Sequence, residues 1–143
     1  MEILTSRTIR LGLSATDKEQ AIRLAGQLLV AEKYVAPEYV LGMLAREVIA
    51  SNYIGNGVAI PHGRHEDLKY VYQTGVSFVQ LPQGVVWEAD EKAYLILGLA
   101  ATSNDLSGIL SNLLEVLRNP TIIQRLVQTG DPQMIIATLA GRQ

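Results

Sequence analysis

Two stretches near the start of the chain have apolar residues at the spacing of an amphipathic helix. In the first, Thr16 as N-cap and Glu19 three residues later fit a capping box, which predicts a helix of about four turns. In the second, Pro37 stands where a first helical residue is expected, and the helix is predicted to run to about Ala50. The apolar stripes consist of Ala21, Ile22, Ala25, Leu28 and Leu29, and of Val40, Leu41, Leu44 and Val48.

The middle of the chain changes to the pattern of strands. Residues 8–13 alternate weakly, residues 58–60 alternate around Ala59, and residues 75–80 are predicted to form a further strand. Residues 93–100 are almost entirely apolar, so this strand is predicted to be buried on both faces. Pro82-Gln83-Gly84 predicts a turn between the last two strands.

The last third returns to helical spacing. Asn119-Pro120 and Asp131-Pro132 each predict the start of a short helix, and Gly130 and Gly141 stand as C-terminal stops. We therefore predict a single α/β domain over residues 1–143, with a mixed β-sheet flanked by helices on both faces. The cleanest stripe, predicted to be a core helix, consists of Leu106, Ile109, Leu110, Leu113, Leu114 and Leu117.

Composition narrows the class of protein. The chain has 143 residues, which is enough to bury about two thirds of its unfolded surface. It has no cysteine, which excludes thiolate catalysis and disulfides and fits a reducing compartment. With 12 Lys and Arg against 14 Asp and Glu, it has no basic stripe, which argues against a nucleic-acid reader. No signal peptide or membrane span is predicted, so we expect a cytoplasmic protein.

The candidate chemistry centres on His62, at a bend after the residue 58–60 strand. Pro61 fixes its own φ and favours an extended Ile60, while Gly63 permits unusual backbone geometry, so the imidazole is predicted to face outward at a strand end. An imidazole there can act as a nucleophile, proton carrier or metal ligand. An inert surface turn is the alternative, and the bend alone does not decide between them.

A metal site is a weaker interpretation. His62 and His65 are three residues apart and precede Glu66 and Asp67, but zinc needs about four ligands in fixed geometry, and this segment is not clearly helical. His65 is therefore interpreted as an exposed loop residue, with a supporting role near His62 left open, and no metal is expected.

The string GNGVAIPHGR at residues 55–64, with Ala45-Arg46-Glu47 upstream, resembles the phosphorylation-site signature of the fructose/mannitol-type enzyme IIA domains. These domains belong to the bacterial phosphoenolpyruvate-dependent sugar phosphotransferase system. Residues 33–40, residues 74–76 and the segment from Gln83 to Trp87 are similar to the mannitol branch, so the resemblance covers nearly the whole chain.

The resemblance implies a phosphocarrier. His62 would accept a phosphoryl group from the carrier protein HPr as a tele-phosphohistidine and pass it to a cysteine of an enzyme IIB domain, in concert with a membrane enzyme IIC. No cofactor, metal or nucleotide is implied. Arg46, Gly63 and Arg64 are the candidate phosphate-supporting residues. Arg46 is otherwise an arginine favoured at a helix C-terminus, and Arg64 either steers a partner or is solvated.

One position departs from the family pattern. Many relatives have a second histidine at the start of the helix after the buried strand, and a gapless comparison places Leu106 there. Asn104 and Ser107 remain as substitute donors.

Three function classes follow from these residues. The first is a phosphocarrier in uptake of a sugar alcohol such as mannitol, or of fructose. The second is a regulatory domain on the same fold, in which phosphorylation of His62 is a signal or has been lost. The third, a hydrolase with His62 as base, is disfavoured because the sequence has no G-x-S-x-G elbow and no cysteine nucleophile.

Overall fold

The computed structural model describes residues 3–102 and 104–140. Within them the helices are α1 (Lys18–Ala31), α2 (Glu38–Ile49), α3 (Leu106–Val116), α4 (Pro120–Gln128) and α5 (Pro132–Ala140). The strands are β1 (Ile9–Arg10), β2 (Tyr53–Gly55), β3 (Val58–Ala59), β4 (Gly75–Glu88) and β5 (Glu91–Ala100). Short 3-10 helices cover Ser6–Thr8 and His65–Tyr70.

The strands form one five-stranded sheet in the order β1-β4-β5-β3-β2. β4 and β5 are antiparallel, as are β2 and β3, whereas β1 is parallel to β4 and β3 is parallel to β5. The sheet is therefore mixed, as predicted. β5 lies at its centre and pairs with β4 along most of its length, so it is the strand to which the His62 segment is added.

The two faces of the sheet have separate cores. Along β5, Leu95, Leu97 and Leu99 contribute to a core that includes residues of α3, α4 and α5. The alternate residues Ile96 and Ala100 contribute to a second core with α1 and α2. Helices on both faces and a β5 buried on both faces confirm the predictions from the apolar run at 93–100.

Two strand predictions were wrong in extent. β1 has only Ile9 and Arg10, because Gly12 turns the chain at a φ of 69° and its N–H is taken by the Gln80 side chain at 2.9 Å. The predicted turn at Pro82-Gln83-Gly84 is instead part of β4.

An irregularity in β4 accommodates those three residues. Gln80 pairs with Leu95 and Val85 pairs with Ala93, so the four residues 81–84 of β4 lie opposite the single residue Tyr94. Two of these four, Pro82 and Gln83, are exposed. Pro82 also lies beyond the pairing of β1 with β4, so its missing N–H removes no bond to that strand. The chain reverses later, at Ala89 and Asp90.

The helices begin close to their predicted starts. α1 is capped by Asp17 rather than Thr16: Asp17 Oδ1 accepts from Gln20 N at 2.8 Å, while the Thr16 N–H donates to Gln20 Oε1 at 2.6 Å. The capping arrangement is therefore displaced by one residue, because Gln20 and not Glu19 completes it. Pro37 is the N-cap of α2 instead of its first residue, with a helical φ of −56°.

The last two helices agree with the pattern of prolines. Pro120 and Pro132 are the first residues of α4 and α5, and α4 ends before Gly130, as predicted. Gly141, the other predicted stop, lies outside the described residues. In α3, Leu113 is buried but Leu114 is 39% exposed, so the stripe is only partly a core stripe.

Replacing Asp17 with alanine removes the side-chain acceptor from the first turn of α1 and is expected to lower the free energy of unfolding by about 1 kcal/mol. Thr16→Ala keeps the Thr16 N–H bond to Gln20 and loses only the 3.1 Å hydroxyl contact, so its effect should be smaller. Urea denaturation of both variants measures the difference. An equal or larger loss for Thr16→Ala would contradict the assignment of Asp17 as the cap.

Candidate functional site

His62 lies directly beyond β3, where the chain makes one further parallel bridge to Leu99 of β5. The Leu99 N–H donates to the Pro61 carbonyl at 2.9 Å. Ile60, one residue earlier, is buried in the core at 1% exposure, and His62 itself is half-buried. The histidine is thus held at the end of the sheet with part of its ring open to solvent, as predicted.

The His62 ring has one nitrogen fixed and one open. Nδ1 lies 3.0 Å from the Ile60 carbonyl oxygen. A carbonyl oxygen only accepts, so Nδ1 carries the proton of the neutral ring and Nε2 keeps its lone pair. Burial lowers the pKa of His62, the Ile60 hydrogen bond raises it, and the positive charge of Arg46 lowers it further. The net lowering favours a neutral ring with an unprotonated Nε2 at neutral pH.

Tyr39 of α2 closes the other side of the bend. Its hydroxyl donates to the Leu99 carbonyl at 2.8 Å and accepts from the Gly63 N–H at 2.9 Å. Burial raises the pKa of Tyr39 to about 12, so the hydroxyl stays protonated and can make both bonds. A Cβ on Gly63 would lie 2.6 Å from Tyr39 Cε1, which explains why glycine follows His62.

Arg64 forms a salt bridge with the buried carboxylate of Asp67. Its Nε and Nη2 atoms donate to the carboxylate of Asp67 at 2.9 and 3.0 Å, and its backbone N–H donates to the same carboxylate at 2.8 Å. Asp67 is 2% exposed and lies against Gly42 of α2. The Arg64 guanidinium holds the pKa of Asp67 below its usual value. This bidentate pair fixes the chain after His62, and it uses two of the five N–H donors of the Arg64 guanidinium.

Arg46 lies at the end of α2, seven residues after Tyr39 and therefore on the same face of the helix. Its Nη1 donates to the Ala50 carbonyl at 2.6 Å, which caps the end of the helix. This is the only hydrogen bond of the Arg46 side chain to the described residues. Arg46 therefore combines the helix-capping alternative with a half-buried positive charge close enough to His62 to lower its pKa.

Glu47, the next residue, is buried and fully engaged in hydrogen bonds. Its carboxylate accepts from the Asn52 backbone N–H at 3.0 Å and from the Trp87 indole N–H at 3.0 Å, with Lys18 Nζ at 3.5 Å. These contacts join the end of α2 to β4 and to the start of α1. Glu47 therefore anchors the turn that carries Arg46.

His62 opens into a cleft of about 420 Å³, which brings most of the predicted site residues together. Arg46, Gly63, Arg64 and the exposed His65 all line it. Asn104 and Ser107 are exposed and are not among the lining residues; Leu106 is. The remaining lining residues are Tyr39, Ile49, Leu68 and Ala101.

The sequence analysis missed the roles of Tyr39 and Glu47 and most of the apolar lining of the cleft, and it considered Asp67 only as a possible metal ligand. Glu47 was seen only as part of the Arg-Glu element. Tyr39 directly precedes the apolar stripe of α2 and lies seven residues before Arg46, a spacing that places the two side chains on one helix face.

The arrangement suits the transfer of an anionic group. It offers one unprotonated nitrogen in a partly enclosed cleft, a guanidinium with free donors nearby, and a rigid backbone around both. Among residues 3–102 and 104–140, no group of three or more histidine, aspartate or glutamate residues is placed to hold a metal ion. Within the same ranges, no helix has the length and apolar character needed to cross a membrane.

Comparisons with known proteins agree with this site. Residues 2–141 match the family model described as "Phosphoenolpyruvate-dependent sugar phosphotransferase system, EIIA 2". The chain is 41% identical over 96% of its length to a multiphosphoryl transfer protein of Rhodobacter capsulatus, of which it spans only 17%. It is 35% identical to the mannitol-specific phosphotransferase enzyme IIA component of Bacillus subtilis, with 96% of each chain covered.

A solved structure is similar along its whole length. It is that of a complex of enzyme IIAMTL and phosphorylated enzyme IIBMTL from Escherichia coli, with a TM-score of 0.92, 39% identity, and 96% of this chain and 97% of that chain covered. The chain therefore belongs to the EIIA 2 family of the phosphoenolpyruvate-dependent sugar phosphotransferase system, and the resemblance stated from the sequence is confirmed.

Replacing Arg46 with glutamine is expected to raise the pKa of His62, because the nearby positive charge that disfavours the imidazolium is removed. The ring resonances of His62, followed by NMR as a function of pH, measure the change. Arg118→Gln is the control, because Arg118 lies in an exposed pair with Glu115 and should leave the titration of His62 unchanged. An unaltered titration in Arg46→Gln would show that Arg46 does not act on the His62 ring.

Proposed function

We propose that this chain is a phosphocarrier of the sugar phosphotransferase system, in which His62 takes a phosphoryl group from phospho-HPr and passes it to an enzyme IIB domain. The observation that carries the proposal is the state of the His62 ring: Nδ1 is held by the Ile60 carbonyl, and Nε2 is unprotonated in a cleft that Arg46 also lines.

The chemistry at Nε2 balances in two steps. In the first, the Nε2 lone pair forms a bond to the phosphorus, and the P–N bond to the HPr imidazole breaks and returns its electron pair to that ring. In the second, a cysteine thiolate of IIB attacks the same phosphorus, and the electron pair returns to Nε2 of His62. Both steps exchange one P–N or P–S bond for another, so position and charge are the main requirements.

Arg46 is the strongest candidate for stabilising the phosphoryl oxygens. To the residues that the structure describes, its guanidinium makes one hydrogen bond, to Ala50, which leaves other N–H groups for an anion. Gly63 and Arg64 have a different role in the proposal, because the Gly63 N–H is bonded to Tyr39 and the Arg64 guanidinium to Asp67. They support the site by holding the loop.

The remaining predicted residues have smaller roles. His65 lines the cleft and is exposed, so it lies where a partner protein approaches, whereas Asn104 and Ser107 lie outside the lining. Leu106 occupies the position of the family's second histidine and lines the cleft with an apolar side chain. We therefore expect His62 and Arg46 to account for most of the transfer.

We further propose mannitol, or a related sugar alcohol or fructose, as the substrate that the pathway imports, with a membrane enzyme IIC as the transporter and the cytoplasm as the place of transfer. The support is the mannitol-specific relative of Bacillus subtilis, which has nearly the same length as this chain. The longer relatives contain additional sequence, and this chain spans 17% of one of them.

Incubation with phosphoenolpyruvate, enzyme I and HPr is expected to label the wild-type protein with phosphate in an acid-labile, base-stable form. His62→Ala should abolish labelling, because no other residue in the cleft has the same prepared nitrogen. His65→Ala is the matched control and should keep most of the labelling. Label retained in His62→Ala would overturn the assignment of the site.

Addition of a mannitol-type enzyme IIB to the labelled protein separates a carrier from a regulator. Rapid loss of label from His62 to the IIB cysteine is the expected result. The regulatory alternative is favoured by one observation, the apolar Leu106 at the position of the second histidine. A label that no IIB removes, measured by the rate of discharge, would support that alternative and contradict the carrier.

A further inference from the structure

Two tyrosine hydroxyls are inserted between backbone groups at the two ends of the segment that pairs with β5. At one end the Tyr53 hydroxyl accepts from the Gly57 N–H at 3.0 Å and donates to the Lys92 carbonyl at 3.3 Å. At the other end the Tyr39 hydroxyl accepts from the Gly63 N–H and donates to the Leu99 carbonyl, at 2.9 and 2.8 Å. Each hydroxyl therefore bridges a glycine N–H and a backbone carbonyl of β5.

The Tyr39 hydroxyl bonds to both backbone groups of one rung of the sheet. In a parallel bridge between His62 and Leu99, the Leu99 N–H bonds to the Pro61 carbonyl, and the Gly63 N–H is positioned to bond to the Leu99 carbonyl. The first bond is present at 2.9 Å. The Gly63 N–H and the Leu99 carbonyl, the two groups of the second bond, both bond to the Tyr39 hydroxyl, so the side chain of α2 takes part in this rung of the ladder.

The same side chain ties the site to α2. Tyr39 is 3% exposed and lies on the helix face that carries Arg46 seven residues later. The position of Arg46 relative to His62 therefore depends on how closely α2 approaches the His62 segment, and the Tyr39 hydroxyl is bonded to that segment and to β5 together.

We propose that Tyr39 is a positioning residue for phosphoryl transfer, whose inserted hydroxyl sets the orientation of the His62 ring and its separation from Arg46. Tyr39 makes no bond to the ring itself and acts through Gly63 and Leu99. Without the hydroxyl, the Gly63 N–H and the Leu99 carbonyl lose the partner that they share, and the backbone that follows His62 is held less firmly.

The relevance of this role rests on the proposed function, but the orientation of the ring can be measured without it. The test compares wild type, Tyr39→Phe and the matched control Tyr53→Phe, which removes a hydroxyl with the same kind of partners at the opposite end of β3. Nitrogen-15 NMR of the histidine ring reports which nitrogen carries the proton. Steady-state kinetics with phospho-HPr give kcat and KM separately.

In wild type and Tyr53→Phe we expect one tautomer of His62, with a protonated Nδ1 and an unprotonated Nε2. In Tyr39→Phe we expect averaged ring shifts and a kcat lower by about tenfold or more, because small displacements of reacting groups slow transfer strongly. The KM for HPr should change by less than about twofold, because Tyr39 is buried and offers no surface to a partner.

The proposal is overturned if Tyr39→Phe has the ring shifts and kcat of Tyr53→Phe. If wild type accepts no phosphate, the proposed function fails, and the ring shifts alone decide whether Tyr39 positions His62. Should Tyr39→Phe not fold, as judged by circular dichroism, Gly63→Ala replaces it. Its Cβ would displace the Tyr39 ring while the hydroxyl is retained, and the same averaged shifts are expected.

Discussion

The site depends on the two backbone groups of one residue of the central strand, Leu99. The N–H of Leu99 holds the Pro61 carbonyl, and its carbonyl receives the Tyr39 hydroxyl that holds Gly63, so both neighbours of His62 are tied to the same residue. Leu99 is itself buried at 0% exposure within β5, the strand enclosed by both cores. The rigidity of the middle of the sheet is thus transmitted to a histidine at its end, and a transfer reaction that relies on position rather than on covalent assistance requires this rigidity.

Most charged side chains around His62 are paired within the fold, whereas Arg46 keeps N–H groups that can bind an anion. Arg64 and Asp67 satisfy each other and fix the loop, and Glu47 is satisfied by the Asn52 and Trp87 N–H groups at the base of α2. Within residues 3–102 and 104–140, the Arg46 side chain makes a single hydrogen bond, to Ala50, and its other N–H groups remain available. The cleft therefore presents one neutral nucleophile and one cation to an incoming phosphoryl group, while its apolar rim, including Ile49 at 70% exposure, is open to a partner protein.

The sequence predicted those parts of the fold in which local chemistry and burial agree. Pro120 and Pro132 mark helix starts, and the apolar run at 93–100 marks the buried strand. Each of these predictions needs only the residue types within a short segment of the chain. The turn predicted at Pro82-Gln83-Gly84 was wrong because turns and β-bulges favour the same residue types. Only the pairing of β4 with β5 shows that this segment is a bulge. The hairpin from β2 to β3 was missed although Asn56-Gly57, both at positive φ, is a strong two-residue turn signal. In the site, His62 could be found from its bend and its resemblance, but the hydroxyl of Tyr39 acts through tertiary contacts that no local pattern contains. The pairing of Arg64 with Asp67, three residues later, is a local contact that the sequence analysis did not use.

The hydrogen bond between Trp87 and Glu47 has a practical consequence. The chain has one tryptophan, and its indole N–H is bonded to the residue next to Arg46. Indole fluorescence responds to the field of nearby charges, so any shift in the last turn of α2 when an anion reaches Arg46 changes the emission of that single fluorophore. Under the proposed function, the emission of Trp87 is therefore an intrinsic signal for phosphorylation at the site, which needs neither a dye nor a radioactive donor.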